Sequence, residues 1–135
     1  APTYKPSMLT ARCVHGLVYH DNYLYAIGGL KCSAIEIYLK DCERLDSTLN
    51  KWETLEPLPQ ACCYVSVIAL EESRCLYALG GRSTGFEEIN LIQRLSLGEL
   101  KWDILELKLP SLAHSIACFK LDESQVYFAI SDKLL

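Results

Sequence analysis

The stretch Leu24-Tyr25-Ala26-Ile27-Gly28-Gly29 (LYAIGG) recurs as Leu76-Tyr77-Ala78-Leu79-Gly80-Gly81 (LYALGG), and a lone tryptophan follows each copy, Trp52 and Trp102. From Gly28 to Gly80 is 52 residues and from Trp52 to Trp102 is 50, so one unit of about fifty residues occurs twice. Self-similarity at such a period marks a repeat architecture, in which each unit buries its apolar faces against its neighbours. A second segment repeats at nearly the same offset. Glu43 to Trp52 (ERLDSTLNKW) lies over Gln93 to Trp102 (QRLSLGELKW), sharing Arg, Leu, Lys and Trp at four of ten places.

Around these anchors the chain reads as short strands separated by turns. In the first unit the expected strands are 12–19, 23–28, 41–46 and 51–55, with His20-Asp21-Asn22 a polar turn and Pro57 and Pro59 a stop. Residues 30–40 contain an apolar alternation that reads either as an extra strand or as a structured loop. The second unit gives 62–70, 75–80, 89–97 and 100–107, with 82–88 a loop and Pro110 a stop. A third begins with 111–121 and 125–130 and has Ser131-Asp132 where the glycine pair is due. The fold class expected is therefore all-β. At each glycine pair we expect positive φ where the chain leaves the sheet, and an aromatic packed against bare backbone.

A double glycine closing an apolar strand, with tryptophan about twenty residues later, resembles the kelch motif, one blade of a β-propeller. The first unit matches best, through Arg12 sixteen residues before Gly28, His15-Gly16 and Tyr25. Departures are Leu45 and Leu95 where kelch blades often carry tyrosine, Cys62 near the arginine position, and a first hairpin two residues longer in the second unit. The resemblance implies an incomplete kelch propeller of four-stranded antiparallel blades: a lead-in at 1–11, blades at 12–59 and 60–110, and a partial blade at 111–135. Propellers close with about four to eight blades. The remaining blades are thus expected elsewhere in a longer chain or from partners, which the first residue, Ala1, also suggests. Two and a half blades would leave apolar faces exposed, including the surroundings of Trp52 and Trp102.

Composition narrows the function. A formal charge of −4 with no lysine or arginine cluster offers no field for nucleic acid. No apolar run reaches the roughly 18 to 20 residues of a membrane-spanning helix, so no membrane role is expected. Seven cysteines without C-x-x-C spacing suit a reducing, cytoplasmic compartment. Cys13 and His15 share a strand face, but no zinc-module spacing surrounds them, and Cys62 and Cys63 point to opposite faces. His15, His20 and His114 are the available bases, and no G-x-S-x-G occurs. No metal, no cofactor and no catalysis are expected.

Successive antiparallel strands send loops alternately to the two ends of a blade. Residues 30–40 and 82–88 emerge at one end with the links between blades, and are longer and more varied than the turns opposite. That end is the candidate for binding a partner protein, through Arg12, Lys31, Arg82 and Phe86. Arg12 has two readings: a guanidinium that grips acidic peptides, as the kelch resemblance implies, or a structural pairing. The resemblance further implies a non-catalytic interaction module, with substrate-receptor roles in ubiquitin ligases or actin-associated scaffolding among its uses. The alternative is a segment of a copper-radical oxidase resembling galactose oxidase.

Overall fold

The computed structural model describes residues 3–31, 33, 35–110, 117–122 and 125–129. Strands β1 (Arg12–Cys13), β2 (Gly16–His20), β3 (Tyr23–Ile27), β4 (Leu30–Lys31), β5 (Ile37–Tyr38), β6 (Cys42–Asp46) and β7 (Lys51–Leu55) build the first unit. The second comprises β8 (Ser66–Leu70), β9 (Cys75–Leu79), β10 (Arg82–Ser83), β11 (Glu87–Glu88), β12 (Ile92–Ser96) and β13 (Lys101–Ile104). Strands β14 (Ala117–Asp122) and β15 (Gln125–Ala129) form an antiparallel pair beyond them. The fold is all-β, with two four-stranded antiparallel sheets in the orders β2-β3-β6-β7 and β8-β9-β12-β13. β2 packs beside β8 and β8 beside β14, so the first strands of successive units adjoin, as in the blades of a propeller.

Local chemistry explains most turns. Asp21 (φ 46°) and Asn22 (φ 67°) link β2 to β3 as a two-residue turn with both φ positive, which their short polar side chains tolerate. The corresponding hairpin has four residues between its paired ends, Leu70 and Cys75, giving the two extra residues read from the sequence. The glycine pairs take φ of 62° and 104° at Gly28 and Gly29, and 59° and 105° at Gly80 and Gly81. What crowds them is backbone carbonyl, not the aromatic expected. A Cβ on Gly28 would stand 2.5 Å from the Cys62 oxygen, and one on Gly29 2.7 Å from the Cys13 oxygen. Gly29 N–H donates to Cys62 O at 2.8 Å, so the first pair is where the two units join.

The expected first strand is interrupted near its start in both units. The strand expected at 12–19 breaks at Val14, whose φ of 48° is unusual for a β-branched residue, and the second unit breaks likewise at Tyr64 (φ 52°). The cause is tertiary. Ahead of the break Cys13 pairs with Leu30, and behind it Gly16 pairs with Ile27, so this stretch serves two sheets. Tyr64 N–H meets Val14 O at 2.8 Å, holding the two breaks together. At 89–97 only β12 joins the ladder, because Ile89 N–H bonds Gly81 O across the loop instead. In the third unit 111–116 and 130–135 lie outside the described residues, and with them His114 and the Ser131-Asp132 substitution for glycine.

The main core lies between the two sheets. Tyr25, Ile27, Leu76 and Leu95 meet there at 2% exposure or less, with Trp102 beside them. The expectation that both tryptophan neighbourhoods face water is corrected: Trp52 is 8% exposed and Trp102 9%. Each indole is covered by the segment 46 residues before it, donating its N–H to Pro6 O at 2.8 Å and to Glu56 O at 2.9 Å. The two tryptophans thus have equivalent surroundings. Apolar surface is open elsewhere, at Leu17 (54%), Tyr19 (60%) and Leu107 (70%). From these patches the 135-residue chain on its own is expected to self-associate in sedimentation velocity. A monomer with a sharp, reversible melting transition would contradict this.

Candidate partner-binding face

Beyond each glycine pair the chain makes a small platform. In the first unit β4 pairs with both β1 and β5, so the open stretch at 30–40 contains two short strands with a loop between them. In the second, β10 pairs with β11 across the turn Thr84–Phe86, with Gly85 at φ 76° and Phe86 at φ 62°. Cys63 exchanges both backbone bonds with Arg82, at 2.8 and 2.9 Å, standing where Cys13 stands in the first unit.

The platforms touch. The Phe86 backbone reaches the Tyr38 hydroxyl; burial raises that phenol above its ordinary pKa, while this bond and Arg82 oppose the rise. The Arg82 guanidinium lies 5.8 Å from the centroids of both Tyr64 and Phe86, within cation–π range. Phe86 is 64% exposed, and Lys31 is exposed on β4. Arg82, Phe86 and Tyr64 therefore form one cluster beside Tyr38. Sequence reasoning missed both tyrosines, although Tyr64 follows the vicinal cysteines and Tyr38 lies within the apolar alternation of 30–40.

Arg12 lies in platform strand β1 opposite Lys31, but its side chain is turned inward, and its binding reading is corrected in favour of the structural one. Its guanidinium side chain is wholly buried and lies 2.8 Å from the Glu43 carboxylate, itself 2% exposed. Arg12 also donates to Gly28 O at 2.9 Å and Asp41 O at 2.7 Å. Glu43 accepts in addition the amides of Leu9 and Thr10 at 2.7 and 3.1 Å, clamping the incoming chain. Fifty residues on, Gln93 stands in the place of Glu43 and is fully buried. Its Oε1 accepts the Gln60 amide at 2.9 Å, and its Nε2 faces the Cys62 sulfur at 3.7 Å. Where the arginine becomes cysteine, the carboxylate becomes a neutral amide. A buried carboxylate without its cation would be costly, so the two positions change as a pair. The signal was present in the aligned first letters of ERLDSTLNKW and QRLSLGELKW.

Burial acts on three of the thiols and on His15. Burial pushes Cys42 and Cys62 up to about 12 and Cys63 to about 11, leaving them protonated near neutrality. Burial lowers the pKa of His15, aided by Arg12 and opposed by Glu43, and its Nδ1 has no hydrogen-bond partner among the described residues. Among the described residues no group of three or more His, Cys, Asp or Glu is placed to hold a metal. Among them, too, no helix is long and apolar enough to cross a membrane.

Comparison with known proteins accords with this geometry. The Kelch motif family model matches residues 11–59. Kelch-like protein 38 of Homo sapiens is 29% identical over 102 residues, 76% of this chain and 17% of that protein. Kelch-like protein 25 of Xenopus tropicalis is 30% identical over 103 residues, 72% of this chain and 17% of its own length. The chain thus spans about a sixth of the length of the curated relatives it matches. The matched motif, these relatives and the repeated sheets, with their glycine pairs and equivalently buried tryptophans, place the chain in the kelch-repeat family.

Proposed function

We propose that this chain is part of a propeller that binds a partner protein through the loops at 30–40 and 82–88, with no catalytic step. The blades proposed are 12–59, 60–110 and 111–135, with 1–11 leading in. The observation that carries the reading is the cluster of Arg82 between Tyr64 and a largely exposed Phe86, held beside Tyr38 of the neighbouring unit. Arginine and aromatic side chains that anchor in a partner's pockets supply most of the affinity in many interfaces. Glu88 stands opposite Arg82 in the ladder, so this is not a broadly cationic surface. Recognition rests on aromatic contact and directed guanidinium bonds, with Lys31 at the margin. A cytoplasmic substrate-receptor or cytoskeletal scaffold is the role in which such a face would serve.

Phe86→Gly removes the ring at a residue whose φ of 62° glycine adopts freely, so it tests contact without straining the turn. Phe86→Gly and Arg82→Ala are each expected to weaken capture of a co-purifying partner at least about tenfold, equivalent to roughly 1.4 kcal/mol. Arg94→Ala, away from these loops, should leave capture unchanged. Undiminished recovery by both loop variants would exclude this face.

A further inference from the structure

At the opposite ends of the strands, the turns after β2 and β8 border a cavity of about 210 Å³ between the two units. The first unit contributes His20, Asp21, Tyr23, Tyr25 and Arg44, and the second contributes Arg74 and Leu97. Arg44 is held in place before any ligand arrives. Its guanidinium carbon lies 4.0 Å above the Tyr23 ring, Nε bonds the Glu53 carboxylate, and Nη1 is 3.4 Å from the Tyr25 hydroxyl. Its Nη2 has no hydrogen-bond partner among the described residues, though the side chain is only 15% exposed.

The equivalent arginine of the second unit is closed. Arg94 gives Nε and Nη2 to the two Asp103 oxygens at 3.0 and 2.7 Å, using the fork that Arg44 leaves half open. Arg74 departs from its own counterpart too. Leu97 N–H donates to Arg74 O as Ser47 N–H donates to Asn22 O, so Arg74 stands where the first unit has asparagine. Its φ of 51° lies in the left-handed region, which asparagine tolerates and arginine does not favour. Its guanidinium has no ion pair among the described residues.

We propose that this cavity binds a carboxylate carrying an N–H or O–H donor on the first or second carbon from it, the carboxylate meeting Arg44 and Arg74 and the donor meeting Asp21. Charge selects this class. Glu53 already offsets Arg44 and Asp21 lines the same cavity, so beside Arg74 a single negative charge with a nearby donor is balanced whereas a phosphate dianion is not. The Tyr23 ring supplies an apolar wall, and His20 a further polar group at the rim.

Calorimetric titration of the intact protein with N-acetylaspartate N-methylamide, its capped asparagine analogue and lactate tests this. A capped aspartate stands for an acidic peptide residue, and lactate for a free hydroxy acid; saturable binding of either supports the site and identifies its source. Capped asparagine should bind at least tenfold more weakly than capped aspartate. Arg74→Asn, which installs the residue of the first unit, should weaken acid binding at least fivefold without lowering the melting temperature, while Arg94→Gln should leave binding unaltered. Binding of neither acid, equal binding of capped aspartate and asparagine, or equal loss in Arg74→Asn and Arg94→Gln would overturn the proposal.

Discussion

Replacing Arg12 by cysteine alone is expected to lower the free energy of unfolding by about 3–5 kcal/mol, the usual consequence of leaving one member of a buried ion pair unmatched. Adding Glu43→Gln should restore more than half of that loss. The physical reason is visible within the molecule. Arg12 and Glu43 are 2.8 Å apart with side chains almost wholly out of water, so the carboxylate has no solvent to turn to when the guanidinium goes. A glutamine at the same place carries no charge and keeps one acceptor oxygen where the Leu9 and Thr10 amides now use two, as Gln93 keeps one for Gln60. Recovery stays incomplete because Gly28 O and Asp41 O lose their donor. Urea unfolding of the two variants measures the coupling directly. A double variant no more stable than Arg12→Cys would show that the positions do not act as a pair.

Gly28→Ala should cost about 2–3 kcal/mol, from about 1–2 for an L side chain in the left-handed region and about 1 for a weakened hydrogen bond. The added Cβ would sit 2.5 Å from Cys62 O, which is backbone and cannot swing aside. That oxygen also accepts the Gly29 amide at 2.8 Å, so the displacement pulls the two units apart where they join. Gly98→Ala is the matched control. Nothing lies within 4 Å of its Cβ and its φ is not positive, so stability should change by no more than about 0.5 kcal/mol. Equal urea midpoints for the two variants would remove the close-approach explanation.

Residues 51–55 show how far pattern reading carries. Lys51–Leu55 reads as a strand and is one, because the turn before it and the proline stop after it are local properties. Val14 shows where it fails. Nothing in RCVHGLVY marks a left-handed residue in mid-strand, since the break exists only because a second platform strand and a second unit claim the flanking backbone. The candidate face was half legible. Arg82 and Phe86 stood out in a long loop, whereas their grouping with Tyr64 and Tyr38 required the two units to be brought side by side.

The repeated LYAxGG and tryptophan segments by themselves determined the family, the all-β class and the location of the glycine turns, because backbone conformation and apolar periodicity are written in adjacent residues. Only the tertiary structure decided that Arg12 is an internal clamp rather than a surface anchor, that the tryptophans are covered by chain 46 residues upstream, and that Arg94 closes its Nε and Nη2 edge on Asp103 while Arg44 leaves Nη2 open. Each of these depends on which distant group meets a side chain, and desolvation and hydrogen-bond geometry, not residue type, decide the outcome.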